Sequence, residues 1–344
     1  MQLKDLLLSL AQDKTFFKMT DVLKVSKKKY SSQYISKTIK ELVGDGKLMK
    51  GGVTRSAYYY NPKKRLPFVH SFSKRYRNDS LQEHFILLEA RARTGLDHSR
   101  CPENVSSIFD YTFSEMLNNA IEHSHSKYIQ VFVTLDDRNL RFVVDDYGVG
   151  VFHSVMSKKK LAGPTEAIQD LMKGKTTTAP QAHSGEGIFF SSKCADVFQL
   201  QSGNTELYID NAQDKDVYIN SLKPKKRGTR VIFSIPVHST RHISEIFLAY
   251  QTDPEEPAFD KTEIKVKLFS MGSIHVSRSQ ARRLLSGLDK FKTVVLDFDE
   301  IPSIGQAFSD EIFRVFVKAH PEVNLIPTNM VESVQFMVER AQNT

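Results

Sequence analysis

Apolar positions along the 344-residue chain follow three successive rhythms. The first stretch is helical. "LKDLLLSLA" and "MTDVLKVS" each gather their apolar residues on one side, and in "SSQYISKTIKELVGDGKL" Ile35, Ile39 and Leu42 fall at i, i+4 and i+7. Ser31 or Ser32 suits the N-cap of that third helix, and Gly44 and Gly46 end it. "KLMKGGVTRSAYYYN" then gives two short strands around Gly51-Gly52, a hairpin signal. From about residue 80 to 238 the pattern changes. A long helix over "SIFDYTFSEMLNNAIEHSHS" carries Ile108, Phe109, Phe113, Leu117 and Ile121 on its apolar face. "YIQVFVTL" and "LRFVVDD" alternate as an antiparallel hairpin, and "VFQLQS", "ELYIDN", "DVYINSL" and "KKRGTRVIFSIP" read as further strands. Beyond about residue 260, strands ("EIKVKLF", "TVVLDFD", "VNLIPTN") alternate with helices ("SRSQARRLLSGLDKF", "GQAFSDEIFRVFVKAHP", "MVESVQFMVERAQ"), which argues an α/β layer.

Length supports this division, since a chain of this size exceeds one typical core. The expected segments are 1–66, 67–238 and 239–344, with "NPKKRLPF" as the first linker. Composition excludes some classes. No apolar run reaches the roughly 18–20 residues that span a bilayer, and "MQLKDLLLSL" lacks a cleavage site, so no membrane is expected. Two cysteines, Cys101 and Cys194, are too few for a disulfide scaffold or a zinc site, which points to a reducing cytoplasm. Charge is uneven. The chain carries a net +8, yet its first 80 residues hold 18 Lys and Arg against 6 Asp and Glu, so the remainder is slightly acidic. A basic leading module on a near-neutral body suggests a polyanion partner, and the plain alternative is a solvated basic face.

Three helices and a hairpin in that order resemble a winged helix-turn-helix. The resemblance implies that the third helix presents Ser32, Gln33, Ser36, Lys37 and Lys40 to nucleic acid, most simply double-stranded DNA, with Lys50 and Arg55 on the wing. Lysines there neutralise phosphates, and Gln and Ser reach base edges. The competing reading is a helical module for protein contacts.

The middle segment holds an ordered series of motifs. Glu115, Asn118, Asn119 and Glu122 cluster on the long helix, with Glu115 and Asn119 one turn apart on one face. The hairpin then delivers Asp145 and Asp146 into "DYGVG". A lysine-rich connection leads to "SGEGIFFSSK" at a helix start, then to "RGT" on a strand. Each motif alone is weak, but the order resembles the GHKL ATPase domain of DNA gyrase, the heat-shock chaperone, histidine kinases and mismatch-repair proteins. Its "NAIEH" is similar to that of bacterial anti-sigma-factor kinases. The resemblance implies an α/β sandwich with a mixed, mostly antiparallel sheet that binds ATP and Mg²⁺. Asp146 would accept from the adenine amine, supported by Thr229, with Gly148 and Gly150 giving the base close passage. Asn119 would hold the metal, with Asn118 and Glu122 beside it as nucleotide contacts. Gly185, Glu186, Gly187 and Ile188 would face the phosphates from a helix N-terminus, where free N–H groups favour anions. Lys173, Lys175 and Thr176 to Thr178 would close over the triphosphate. Glu115 stands where hydrolysing members carry the general base, although kinase members are acidic there too. Tyr147 departs from the small polar residue of many members. His84 lacks the phosphoacceptor motif of histidine kinases, and His123 and His125 lack partners for a metal site.

"VVLDFDEIPSIGQAFSDEIFRVF" resembles the STAS fold of anti-anti-sigma factors, in the STAS-like form fused to GHKL domains. Where true members carry a phosphorylated serine before the helix glycine, this chain has Ile304 before Gly305. Ser303 and Ser309 stay as candidates against the plainer reading of a capping or buried serine. The expected protein is a multidomain α+β, ATP-gated cytoplasmic regulator that binds DNA. The resemblance leaves room for a homodimer and for a protein partner on the STAS-like segment. The alternative is an enzyme first: a serine kinase acting on a STAS partner, or an ATPase.

Overall fold

The computed structural model describes residues 3–14, 16–26, 29–51, 58–62, 69–96, 101–175, 185–213, 216–256, 258–269 and 276–343. They form two compact units, Met1–Val69 and His70–Thr344. The two later segments separated in sequence at residues 238 and 239 lie together in the second unit.

In the first unit α1 (Leu3–Asp13), α2 (Met19–Val25) and α3 (Ser32–Gly44) precede an antiparallel pair, β1 (Met49–Gly51) and β2 (Tyr58–Tyr60). Ser31 is the N-cap of α3, its hydroxyl accepting from the Tyr34 N–H at 3.2 Å. Leu3, Leu7 and Leu10 of α1 pack with Ile35, Ile39 and Leu42 of α3 in one core, as the helical spacing requires.

The second unit begins with β3 (Val69–Arg77), α4 (Glu83–Thr94) and α5 (Glu103–Asn118). The predicted single helix through "NAIEH" instead widens into a π turn over Asn119–His123. Next come β4 (Tyr128–Asp136), β5 (Asn139–Asp146), α6 (Val151–Lys159), α7 (Pro164–Lys173) and α8 (Gly187–Cys194). The four strands expected after α8 are two long ones, β6 (Val197–Asp210) and β7 (Asp216–Pro236). They pair on both sides of an irregularity between Ser202 and Thr205, where the break in pattern that looked like a loop falls. The sheet order is β3-β4-β5-β7-β6, with β4, β5, β7 and β6 antiparallel. Helix α5 covers one face. Phe142 of β5 stacks on Phe233 of β7 at 4.8 Å and meets the edge of Phe113 at 5.3 Å.

After α9 (Ile243–Ala249) the chain builds a parallel three-stranded sheet from β8 (Lys261–Lys265), β9 (Thr293–Asp297) and β10 (Asn324–Thr328), in the order β10-β9-β8. Around it lie α10 (Arg278–Leu285), α11 (Gln306–Asp310), which runs through a π turn into α12 (Val317–Ala319), and α13 (Glu332–Gln342). Val294 and Leu296 of β9 sit at the centre of its core with Phe298, Phe308 and Val334, all fully buried. The whole is a mixed α/β protein, as expected.

Candidate functional site

Strand β5 buries Leu140, Phe142 and Val144, then ends on two buried carboxylates. Asp145 faces Arg230 across the β5–β7 register and is paired with it at 2.6 Å and with Lys226 at 2.9 Å. Asp146 is held by backbone instead. Its Oδ1 accepts from the Gly148 N–H at 2.8 Å and the Thr229 N–H at 3.2 Å. Burial raises the Asp146 carboxyl above the usual carboxylate range, and those donors with the Lys226 charge pull against it. The Thr229 hydroxyl in turn accepts from the Val151 N–H at 3.0 Å, tying the start of α6 to the same corner.

Two glycines make this corner possible. A Cβ on Gly148 would lie 1.7 Å from the Ser124 carbonyl oxygen. Gly228, at φ +74°, leaves room for no side chain: its Cβ would stand 2.4 Å from Asp146 Oδ1. The sequence reading passed over Gly228, although it precedes Thr229 in "RGT", and over the Lys226–Asp145–Arg230 set.

This corner shares a cavity of about 290 Å³ with α5 and α8. Glu115, Asn118 and Asn119 line it from α5 and the π turn, and Gly185, Glu186, Gly187 and Ile188 line it from the start of α8. Asp146, Gly150 and Thr229 line it as well, with Val144, Leu171 and Val231 among the apolar walls. The π turn admits one more residue than an α turn and so rotates the side chains beyond it, which lets His123 reach the cavity while Glu122 lies outside it. Glu115 lies against the N-terminus of α8, where a Cβ on Gly187 would meet its Oε2 at 2.1 Å. That helix end offers free N–H groups and a positive dipole to an anion. The cavity thus joins a buried acceptor, aliphatic walls and an anion-favouring helix end. That donor set fits an adenine nucleotide.

Four expected ligand contacts take other places. Glu122 is exposed away from the cavity. Gly148 serves the packing on Ser124 rather than the cavity lining, because the Val149 N–H bonds the Ser124 carbonyl at 2.8 Å and draws the chain onto it. Lys173 is buried, and its ammonium donates to the carbonyls of Arg283 and Ser286 at 2.9 and 2.8 Å, at the end of α10. Lys175 donates to the Lys290 carbonyl at 3.0 Å and lies 4.7 Å above the Phe291 ring. The C-terminal layer, not the cavity, takes up both lysines. Thr176 to Thr178 and Arg55 lie outside the described residues.

In the first unit Ser32, Gln33, Lys37, Lys40 and Lys50 are exposed and Ser36 is half-buried. In the C-terminal layer Ser303 is exposed, whereas Ser309 is fully buried and donates to the Met337 carbonyl at 2.8 Å. Ile304 is buried beside Gly305. His84 is exposed. Among the described residues no three His, Cys, Asp or Glu gather as a metal site, and no helix is long and apolar enough to cross a membrane.

Comparison with known families gives two matches. Residues 80–210 match the histidine kinase-like ATPase domain, and residues 280–335 match the STAS-like domain of unknown function (DUF4325). No curated protein matches the chain. The chain therefore carries a histidine kinase-like ATPase domain, which implies nucleotide binding, joined to a STAS-like domain. This pairing supports an ATP-binding regulator.

Proposed function

We propose that this chain is a cytoplasmic switch protein that binds Mg-ATP in the α5–α8 cavity and double-stranded DNA through a winged helix formed by α1 to β2. The observation that carries the nucleotide reading is that a buried, backbone-held carboxylate and a helix N-terminus line one cavity. A carboxylate only accepts, so Asp146 reads an amine donor and rejects guanine, which presents a carbonyl there. Asn119 supplies a hard oxygen for Mg²⁺, an ion that leans on water and phosphate for its remaining ligands. Gly185 to Ile188 direct backbone N–H groups at anionic oxygens. Bound Mg-ATP would supply the transferable phosphoryl group. Glu115, on the same wall, is placed to hold a proton from an attacking hydroxyl or water. For DNA, the support is the exposed Gln33, Lys37 and Lys40 on one face of α3, together with the basic balance of the leading segment.

Calorimetry with ATP and GTP, with and without Mg²⁺, tests the nucleotide reading. Wild type should bind ATP, prefer it to GTP and gain affinity with Mg²⁺, and Asp146→Asn should lose the preference. Equal binding of both nucleotides by wild type would sink it. Reversing charge in Lys37→Glu/Lys40→Glu should weaken DNA binding and flatten its salt dependence, and unchanged binding would move the winged helix to protein contacts.

One observation favours a second reading as a protein serine kinase or ATPase. Ser303 stands exposed just ahead of α11, close to the modified position of anti-anti-sigma factors. Mass spectrometry after incubation with Mg-ATP separates the two: phosphate on Ser303 supports the kinase, and free ADP without protein phosphate the ATPase. The buried, bonded Ser309 is not a candidate.

A further inference from the structure

A second concavity is lined by Tyr147, next to Asp146, and by residues of β7. It encloses about 330 Å³, and its lining includes Lys223, Lys225, Lys226, Arg227 and Arg230 with Tyr147. Among the described residues no acidic side chain lines it. Lys226 and Arg230 are both paired with Asp145, so one carboxylate answers two cations there. Lys223, Lys225 and Arg227 are exposed, and among the described residues no carboxylate pairs with them. Arg75 of β3 adds a further cation. Its guanidinium lies 5.6 Å from the Tyr147 ring and 4.2 Å from that of Tyr128. The sheet topology thus gathers positive charge from two strands at one end of the sheet.

We infer that this basic face of the ATPase domain is a second nucleic-acid contact that holds the phosphate backbone. The inference goes beyond the winged-helix reading and stands on a different surface. The form of the site identifies the ligand class. A single phosphate is held by donors that converge on one point, often backbone N–H groups. Here five long cationic side chains follow one another along residues 223–230 of β7, so the matching ligand is a chain of charges. An acidic peptide would also want apolar or aromatic surface for its side chains. Leu222 and Pro224 are the apolar part of the lining, and Tyr147 and Tyr128 add little to it, because Arg75 lies over both rings and Lys226 stands 4.8 Å from Tyr147. A backbone of phosphates asks only for charge.

The test uses the full chain, a fluorescent random-sequence DNA duplex and anisotropy across a salt series. The variant is Lys223→Ala/Lys225→Ala/Arg227→Ala, compared in wild-type and Lys37→Glu/Lys40→Glu backgrounds. Three lost phosphate contacts should flatten the slope of log K against log salt by about 2.7 in either background. The single variant Lys225→Gln should flatten it by about 0.9. ATP affinity equal to wild type shows that the variants are folded. An unchanged slope in the triple variant overturns the inference, even if Lys37→Glu/Lys40→Glu weakens binding and so upholds the winged helix. Displacement of the duplex by inorganic triphosphate at equal phosphate concentration also overturns it, in favour of a small-anion pocket.

Discussion

Asp146 is held in place by the protein itself, since two backbone N–H groups fix Oδ1. Preorganisation of this kind lowers the cost of recognition, and removing the charged acceptor should cost about 1.5–3 kcal/mol of nucleotide binding. Asp146→Asn is therefore expected to raise the Kd for ATP by roughly 10- to 100-fold in calorimetry. A pH series adds a second check. The folded carboxyl titrates above the ordinary aspartate range because burial disfavours its charge. Protonation removes the acceptor, so ATP affinity of the wild type should fall on acidification through a window above that of an exposed aspartate. The same raised value means that ionised Asp146 costs folding stability, and that cost is relieved as pH falls through the same window. Affinity of Asp146→Asn should stay flat there, and parallel curves for the two proteins would refute the assignment. Gly228 makes a harsher test. Gly228→Ala drives a methyl into Asp146 Oδ1 at a φ that alanine rarely adopts, so it should abolish ATP binding and lower the thermal midpoint.

Helix α7 joins the nucleotide cavity to the STAS-like layer. Leu171 lines the cavity, while Gln169 donates to the Leu268 carbonyl, Glu166 pairs with Arg283 at 3.3 Å, and Lys173 caps the end of α10. Burial pulls the Lys173 ammonium from the ordinary lysine value of 10.5 down to about 8. Between these values the unfolded chain binds more protons than the folded one, so folding stability gains as pH rises from about 8 to about 10.5. Denaturant unfolding should show that gain in wild type and not in Lys173→Gln. Near pH 7 the substitution should also cost about 1–3 kcal/mol, because it strands helix-end carbonyls. If the two proteins show the same pH slope, Lys173 is not buried as a cation. None of this was legible in sequence. Lys173 and Lys175 looked like phosphate ligands because a lysine's partner lies in tertiary structure, and "KGK" reads the same in either role. By contrast, a place on one cavity was legible for Asp146 and the glycines at the start of α8, which depend on local backbone geometry at a strand exit and a helix start, and for Asn119, which lies one turn beyond Glu115. The π turn escaped because its residues keep a helical pattern, and β6 and β7 were cut in two because polar bulge residues imitate a loop.

On the scale of the molecule, the aromatic residues decide which parts stand alone. Phe189 and Phe190 open α8 just behind its cavity-facing N-terminus, and both are fully buried. Their neighbours come from beyond residue 238: Phe190 lies 4.3 Å from Phe247, Phe189 lies 4.9 Å from Tyr250, and Phe259 sits 5.0 Å from Phe189 and 5.3 Å from Phe291. Phe291 belongs to the core of the parallel sheet, so packing continues from the nucleotide cavity into the STAS-like layer. A gene cut at the motif boundary would strip that cover. Uncovering two phenylalanines forfeits about 1.5–3 kcal/mol each, a large share of a domain's net stability. A fragment of residues 70–238 should therefore unfold well below the full chain or aggregate, and bind no ATP. A fragment of residues 70–344 keeps the packing and should match the full chain in ATP affinity, because the first unit has a separate core. Thermal unfolding and calorimetry on the two fragments decide it. If the shorter piece melts with the longer and binds ATP equally well, the aromatic contacts are incidental, and the STAS-like layer has no structural hold on the nucleotide site.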